Sequence, residues 1–174
     1  MKWRTVIAGI ALIPAIGAWW AFRPERLFMD RIVNEPLAVD GPDSATAMHA
    51  AIAMGNDAMA GAAVIATGSF TGVAHETRGT AAVYRLADGT RLLRFTDFET
   101  SNGPDVRVYL VAASDVTDHA TVRRAGFVEL GALKGNKGDQ NYVIPSGVDL
   151  ERFRTVTIWC ERFSVNFGSA ALSR

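Results

Sequence analysis

Hydrophobic and polar positions divide the chain into three stretches. The first is a continuous apolar run, TVIAGIALIPAIGAWWAF, from Thr5 to Phe22. It follows the short basic start Met1-Lys2-Trp3-Arg4 and ends at Arg23-Pro24-Glu25-Arg26. As a helix it rises about 27 Å, close to the thickness of a bilayer's hydrocarbon core. Trp19, Trp20 and Phe22 crowd its far end, where amphipathic rings prefer the membrane–water interface. The run therefore reads as an uncleaved transmembrane anchor over residues 5–22, with residues 1–4 in the cytoplasm. A cleaved signal peptide competes, with Ala15-Ile16-Gly17 as the small-residue cleavage region. Either reading puts the rest of the chain on the extracytoplasmic side, periplasmic or cell-surface.

The second stretch, residues 23–60, reads as a partly helical stalk. Asn34-Glu35-Pro36 predicts extended chain or a turn, and Asp40-Gly41-Pro42-Asp43 a turn. Ser44 can cap an alanine-rich helix running to about Ala60. Met48, Ile52 and Met59 fall near one face of that helix. Gly55 and Asn56-Asp57 weaken it.

The third stretch, residues 61–174, alternates polar and apolar positions between Gly, Asp and Asn turns. Ala81–Leu86 and Arg91–Phe98 flank Asp88-Gly89, a hairpin turn. In Asp105–Ala112, Val106, Val108 and Leu110 share one side, and Arg107 and Tyr109 the other. Phe127–Gly131 and Gln140–Ile144 flank the glycine-containing loop Lys134–Asn141, which reads as a long hairpin loop. Thr155–Glu161 and Phe163–Phe167 finish the chain. About eight short strands with frequent turns predict an all-β, antiparallel sandwich or barrel.

Composition narrows the function. Eighteen Lys and Arg balance eighteen Asp and Glu, so the formal charge is zero. No basic stripe offers a nucleic-acid partner. Cys160 is the only cysteine. An intrachain disulfide, paired-cysteine zinc patterns and CxxCH haem attachment are therefore ruled out. No G-x-S-x-G, H-E-x-x-H or G-x-G-x-x-G fingerprint occurs, so the reading favours a redox accessory or binding module over an enzyme.

Two residues carry the candidate chemistry. Cys160 could ligate haem or copper, or cycle through sulfenic acid or a mixed disulfide. Strand parity places Val156, Ile158 and Cys160 on one apolar face, which argues for a buried, structural thiol. Trp159 falls on the opposite face. His75, between Gly72 and Gly79, could ligate a metal or haem, or serve as a hydrogen-bonded structural residue. Lys134–Asn141 lacks P-loop spacing and a following helix, so it is no phosphate cradle. Asp97, Asn102 and Asp105 lack regular calcium-ligand spacing. Met48, His49, Met54 and Met59 suit copper chemically but are better explained as the apolar side of a short helix.

A series of phrases resembles the DM-thirteen domain, named as an electron-transfer domain. They are Gly68-Ser69-Phe70 with His75; Leu92-Leu93-Arg94-Phe95; Phe98-Glu99-Thr100-Ser101-Asn102-Gly103-Pro104-Asp105 through Val108-Tyr109-Leu110; Leu130 through Tyr142; Ile144-Pro145; and Ile158-Trp159-Cys160 leading to Phe163. They occur in order over about residues 64–173. The segment Phe22–Phe28 is similar to the one after the anchor in bacterial members. The resemblance implies a β-rich extracytoplasmic domain and matches Cys160 to the family's cysteine, which is proposed to act as a bare thiol or as a ligand to a group such as haem. On this basis the chain is expected to be a membrane-tethered redox module with a redox protein partner in the envelope. The cofactor is unknown, with haem and copper as candidates. The alternative is a non-catalytic ligand- or protein-binding envelope domain.

Overall fold

The computed structural model describes residues 29–37 and 62–174. The expected anchor, the alanine-rich helix and the methionines Met48, Met54 and Met59 with His49 lie outside the described residues. Among those described, no helix is long and apolar enough to cross a membrane.

Among the described residues, nine strands form two antiparallel sheets and one helix is present. The strands are β1 (Ala63–Ser69), β2 (Thr71–Gly72), β3 (Arg78–Arg85), β4 (Arg91–Glu99), β5 (Val106–Val111), β6 (Phe127–Ala132), β7 (Lys137–Ile144), β8 (Thr155–Cys160) and β9 (Val165–Ala171), and the helix is α1 (His119–Ala125). One sheet runs β1-β3-β4-β7 and the other β2-β9-β8-β5-β6. The all-β expectation thus resolves to a sandwich, in which sheet faces bury alternate residues of each strand. Val106, Val108 and Leu110 of β5 and Val156, Ile158 and Cys160 of β8 enter the inter-sheet core. Tyr109, Val111 and Trp159 point the other way and form a second core with Val116 and Val122. Strand β8 lies in the middle of its sheet, and all six of its residues are buried.

The Asp88-Gly89 turn joins β3 to β4, with Leu86 and Thr90 hydrogen-bonded at its base. Farther along, β4 is less regular than an alternating strand. Phe95 faces Gln140, but Phe98 faces Gly138, so three steps on β4 oppose two on β7. This bulge turns both phenylalanines inward, where Phe70, Phe95 and Phe98 contact one another at centroid distances of 4.9–5.1 Å. Asp97 takes a positive φ of 51° within it and donates its N–H to Asp139 Oδ1 at 3.0 Å. Gly79 lies across from the bulge with φ 113°, and a Cβ there would stand 2.7 Å from Phe98 Cα. Only glycine fits such a backbone approach.

The loop Lys134–Asn141 corrects the hairpin expectation. Strand β6 pairs with β5 in one sheet, and β7 pairs with β4 in the other. The segment between them is a corner that carries the chain across the sandwich. Fully buried Gln140 fixes it by accepting from Gly135 N–H at 3.1 Å and donating to Gly135 O at 2.8 Å. Tyr142 adds its hydroxyl, which donates to Gln140 Oε1 at 2.8 Å and accepts from Lys134 N–H at 3.1 Å. Alternating hydrophobicity marks strands but not which strands pair, so this crossing was not readable from pattern alone.

Part of the segment read as a stalk, residues 29–37, lies along the outer edge of β7. Ile32 and Lys137 form a parallel bridge. Val33 N–H donates to Lys137 O at 3.0 Å, and Glu35 N–H to Asp139 O at 2.9 Å. Ion pairs reinforce this strap: Lys137 with Asp30 at 2.7 Å and Lys134 with Glu35 at 2.7 Å. The opposite edge of the same sheet is covered by Ser173, which exchanges two backbone hydrogen bonds with Thr67 at 2.8 Å each. Both edges of this four-stranded sheet therefore carry a partner segment.

Candidate functional site

Cys160 ends β8 with its side chain sealed in the main core, at 0% exposure. Its register partners are Val106 on β5 and Val165 on β9. The turn Asn102-Gly103-Pro104 covers this end of the sandwich. A Cβ on Gly103 would stand 2.6 Å from Val106 Cγ2 and 2.9 Å from Phe167 Cζ, so the turn rests directly on those two side chains. Glycine permits that approach because it has no side chain to displace them.

His75 belongs to the same neighbourhood through Phe167. Its ring stands 4.0 Å from the Phe167 ring, and its backbone N–H donates to Phe167 O at 3.2 Å. Phe167 in turn shares the main core with Cys160. The fold thus sets both sequence candidates against the main core, Cys160 inside it and His75 on Phe167, without a direct contact between the two. It supplies no ligand set: among the described residues, no three His, Cys, Asp or Glu side chains cluster to hold a metal ion.

Two cavities are relevant to ligand binding. One, of about 290 Å³, is lined by residues including Ile65, Leu150 and Arg154. The other is an open groove of about 810 Å³ between Met29–Arg31, Ser101–Val106 and Ala132–Asn136. Neither is lined by Cys160 or His75. A haem needs a slot beside its axial ligand, and copper needs converging ligands. The packed surroundings of Cys160 offer neither, so this structure does not fit a haem or copper held by that thiol.

The glycine-containing corner has a structural task. Backbone at Gly135 and Gly138 is closely approached by Arg31 and Val33 of the strap. The lysines beside them pair with Glu35 and Asp30. Asp30 is held below the usual carboxylate range by its contacts to Lys137 and Asn136, and Lys137 is held above the usual lysine range by Asp30 and Glu99. Two of the three calcium candidates have their side chains engaged likewise. Asp105 pairs with Arg107 at 2.6 Å, Asn102 donates to Met29 O at 3.0 Å, and Asp97 sits in the bulge.

Sequence reasoning missed a second polar–aromatic cluster on the outer face of the five-stranded sheet. Tyr109 and Trp159 are 2% and 3% exposed. The Tyr109 hydroxyl and the Trp159 indole N–H both donate to Glu161 Oε2, at 2.8 and 2.9 Å. Phe127 lies flat on Tyr109, with centroids 4.2 Å apart and planes 6° from parallel. Burial, then the hydrogen bond to Glu161, pushes the Tyr109 phenol well above its ordinary range. Helix α1 covers the cluster and contributes His119, whose ring is 6.5 Å from Trp159. The helix signals were legible: Asp118 as N-cap, accepting from Thr121 N–H at 2.8 Å, and Gly126 after the last turn. The convergence on Glu161 was not, because Tyr109 lies 52 residues away in the chain.

A family model described as electron transfer DM13 matches residues 69–172, more than half of the 174-residue chain. No curated protein and no solved structure gave a match. The matched span includes His75, the Gly103 turn, Cys160 and the Tyr109–Trp159–Glu161 cluster. The chain therefore belongs to the electron transfer DM13 family.

Proposed function

We propose that this chain is a membrane-tethered, extracytoplasmic electron-transfer module in which Cys160 is the redox-active group and the partner is another redox protein of the envelope. The observation that carries this reading is the position of Cys160, at a strand end of an electron-transfer domain and beside Val106, on which the Asn102–Pro104 turn rests. Tethering rests on the apolar run of residues 5–22 and its interfacial tryptophans. Carbonate-washed membranes should retain the full chain, beginning at or near Met1. A soluble form starting near Ala18 would replace the tether with a cleaved signal peptide.

Burial dictates how such a thiol works. A sealed sulfur is protected from over-oxidation and from pairing with other copies, since only an accessible thiolate reacts. Exchange with a partner requires a local opening, and the short turn at Asn102–Pro104 is the element whose displacement uncovers Val106, the strand neighbour of Cys160. The full chain in detergent, exposed to glutathione disulfide, should form a mixed disulfide at Cys160 slowly and reversibly. A thiol that never changes state in the folded protein would end the redox reading. The alternative would then lead: a binding domain that uses the 810 Å³ groove beside the strap.

A further inference from the structure

We infer that Tyr109 and Glu161 form a second redox site, a proton-coupled one-electron pair on the outer face of the five-stranded sheet. The inference deepens the electron-transfer reading but does not depend on Cys160. Oxidising a phenol at moderate potential requires somewhere for its proton to go. Cys160 sits in an apolar core. Tyr109 instead donates to a carboxylate oxygen at 2.8 Å, within the reach of direct proton transfer.

The step balances simply. One electron leaves the Tyr109 ring for a one-electron acceptor, which is reduced by one electron. The phenolic proton moves along the existing hydrogen bond to Glu161 Oε2. A neutral tyrosyl radical and a protonated Glu161 remain, and a one-electron donor reverses both movements. No other bond forms or breaks. Glu161 is exposed, so the proton can pass to solvent.

The surroundings supply a route. Phe127 is 45% exposed and stacks on Tyr109, giving an acceptor van der Waals contact with the buried ring from the surface. On the other side, Trp159 lies 6.3 Å from Tyr109 and shares the same acceptor oxygen. It is also the residue next to Cys160, with its side chain on the opposite face of β8. An electron vacancy passing between the rings comes to rest on tyrosine, the easier to oxidise once its proton has left. The charged groups around the pair are Glu129, which is the register partner of Tyr109 on β6, and Arg107, which binds Glu129 at 2.6 Å; His119 faces Trp159.

The test uses the full chain in detergent, mixed with hexachloroiridate(IV) as the one-electron oxidant and freeze-quenched for electron paramagnetic resonance. The wild type should give a tyrosyl signal that Tyr109→Phe abolishes and that Tyr84→Phe and Tyr142→Phe leave intact. Glu161→Gln keeps an acceptor for both donors but cannot take the proton, and should slow radical formation about tenfold or more. Because Glu161 is exposed, this variant decides the question even if Tyr109→Phe fails to fold. Cys160→Ser should leave the signal unchanged. A radical that survives in Tyr109→Phe, forms at the wild-type rate in Glu161→Gln, or disappears with Cys160 overturns the proposal. Failure of the glutathione experiment would instead remove the Cys160 reading and leave the tyrosyl result standing.

Discussion

The backbone of Gly138 lies so close against Val33 that a Cβ on the glycine would run into the Val33 carbonyl oxygen. Gly138 also has φ 95°, which side chains rarely adopt. Gly138→Ala should therefore loosen the strap of residues 29–37 and destabilise the domain by about 1–3 kcal/mol. Thermal melts would show the loss. Limited proteolysis would show cleavage near residue 37 before the sandwich unfolds. A melt equal to wild type would mean that the strap adds nothing to stability.

Cys160→Ser places a hydroxyl where the core supplies apolar neighbours, and should cost about 1–3 kcal/mol. Cys160→Ala leaves no unsatisfied polar group and should cost less, despite the small void. Urea denaturation of both variants checks the order. A serine variant as stable as wild type would show that the site is wetter than its burial implies.

Gly103→Ala tests the turn that rests on Val106, the strand neighbour of that thiol. The added methyl must displace Val106 or Phe167, or lift the turn. Lifting the turn would raise the rate at which the native thiol reacts with a maleimide, about tenfold for each 1.4 kcal/mol by which opening becomes easier. An unchanged rate would mean that Cys160 is reached by another route or only on global unfolding.

The strap should also respond to acid. Asp30 is held below its ordinary value by hydrogen bonds from Lys137 and Asn136. Its contribution is fully present above the ordinary carboxylate pKa of 3.8 and is lost as pH falls through the lowered folded value. Lys137 is shifted the other way, so its contribution is full below 10.5 and is lost as pH rises through the raised value. Hydrogen exchange at residues 29–37, corrected for intrinsic rates, should therefore show protection near neutrality that is lost first in strong acid. Asp30→Asn should weaken the acid dependence, leaving the part carried by the Glu35–Lys134 pair.

What the sequence disclosed follows from the range of each interaction. The two-residue period grouped Val106, Val108 and Leu110 on one side of β5 and turned Val156, Ile158 and Cys160 of β8 toward the core, and both sets enter it, because alternation is a local property. The Asp88-Gly89 turn was legible for the same reason. The Asp97 bulge depends on Asp139, the corner at Gly135 on Gln140, and the strap on partners about 100 residues away. None of these leaves a periodic trace. The same limit hid the outer-face cluster. Trp159 was correctly set opposite Cys160, but a second core existed for it only once α1 and Tyr109 were brought together.

The strap has one more consequence, in the order of assembly. Asp30 and Asn136 are 106 residues apart in sequence, and so are Thr67 and Ser173 at the other edge. During synthesis both early segments emerge long before their partners exist, and loop-closure entropy opposes each contact until nearly the whole chain is available. The hairpin between β3 and β4 needs no such wait. Folding should therefore start from that hairpin and finish at the rims, and the late rims place this small domain among the slow folders of its size.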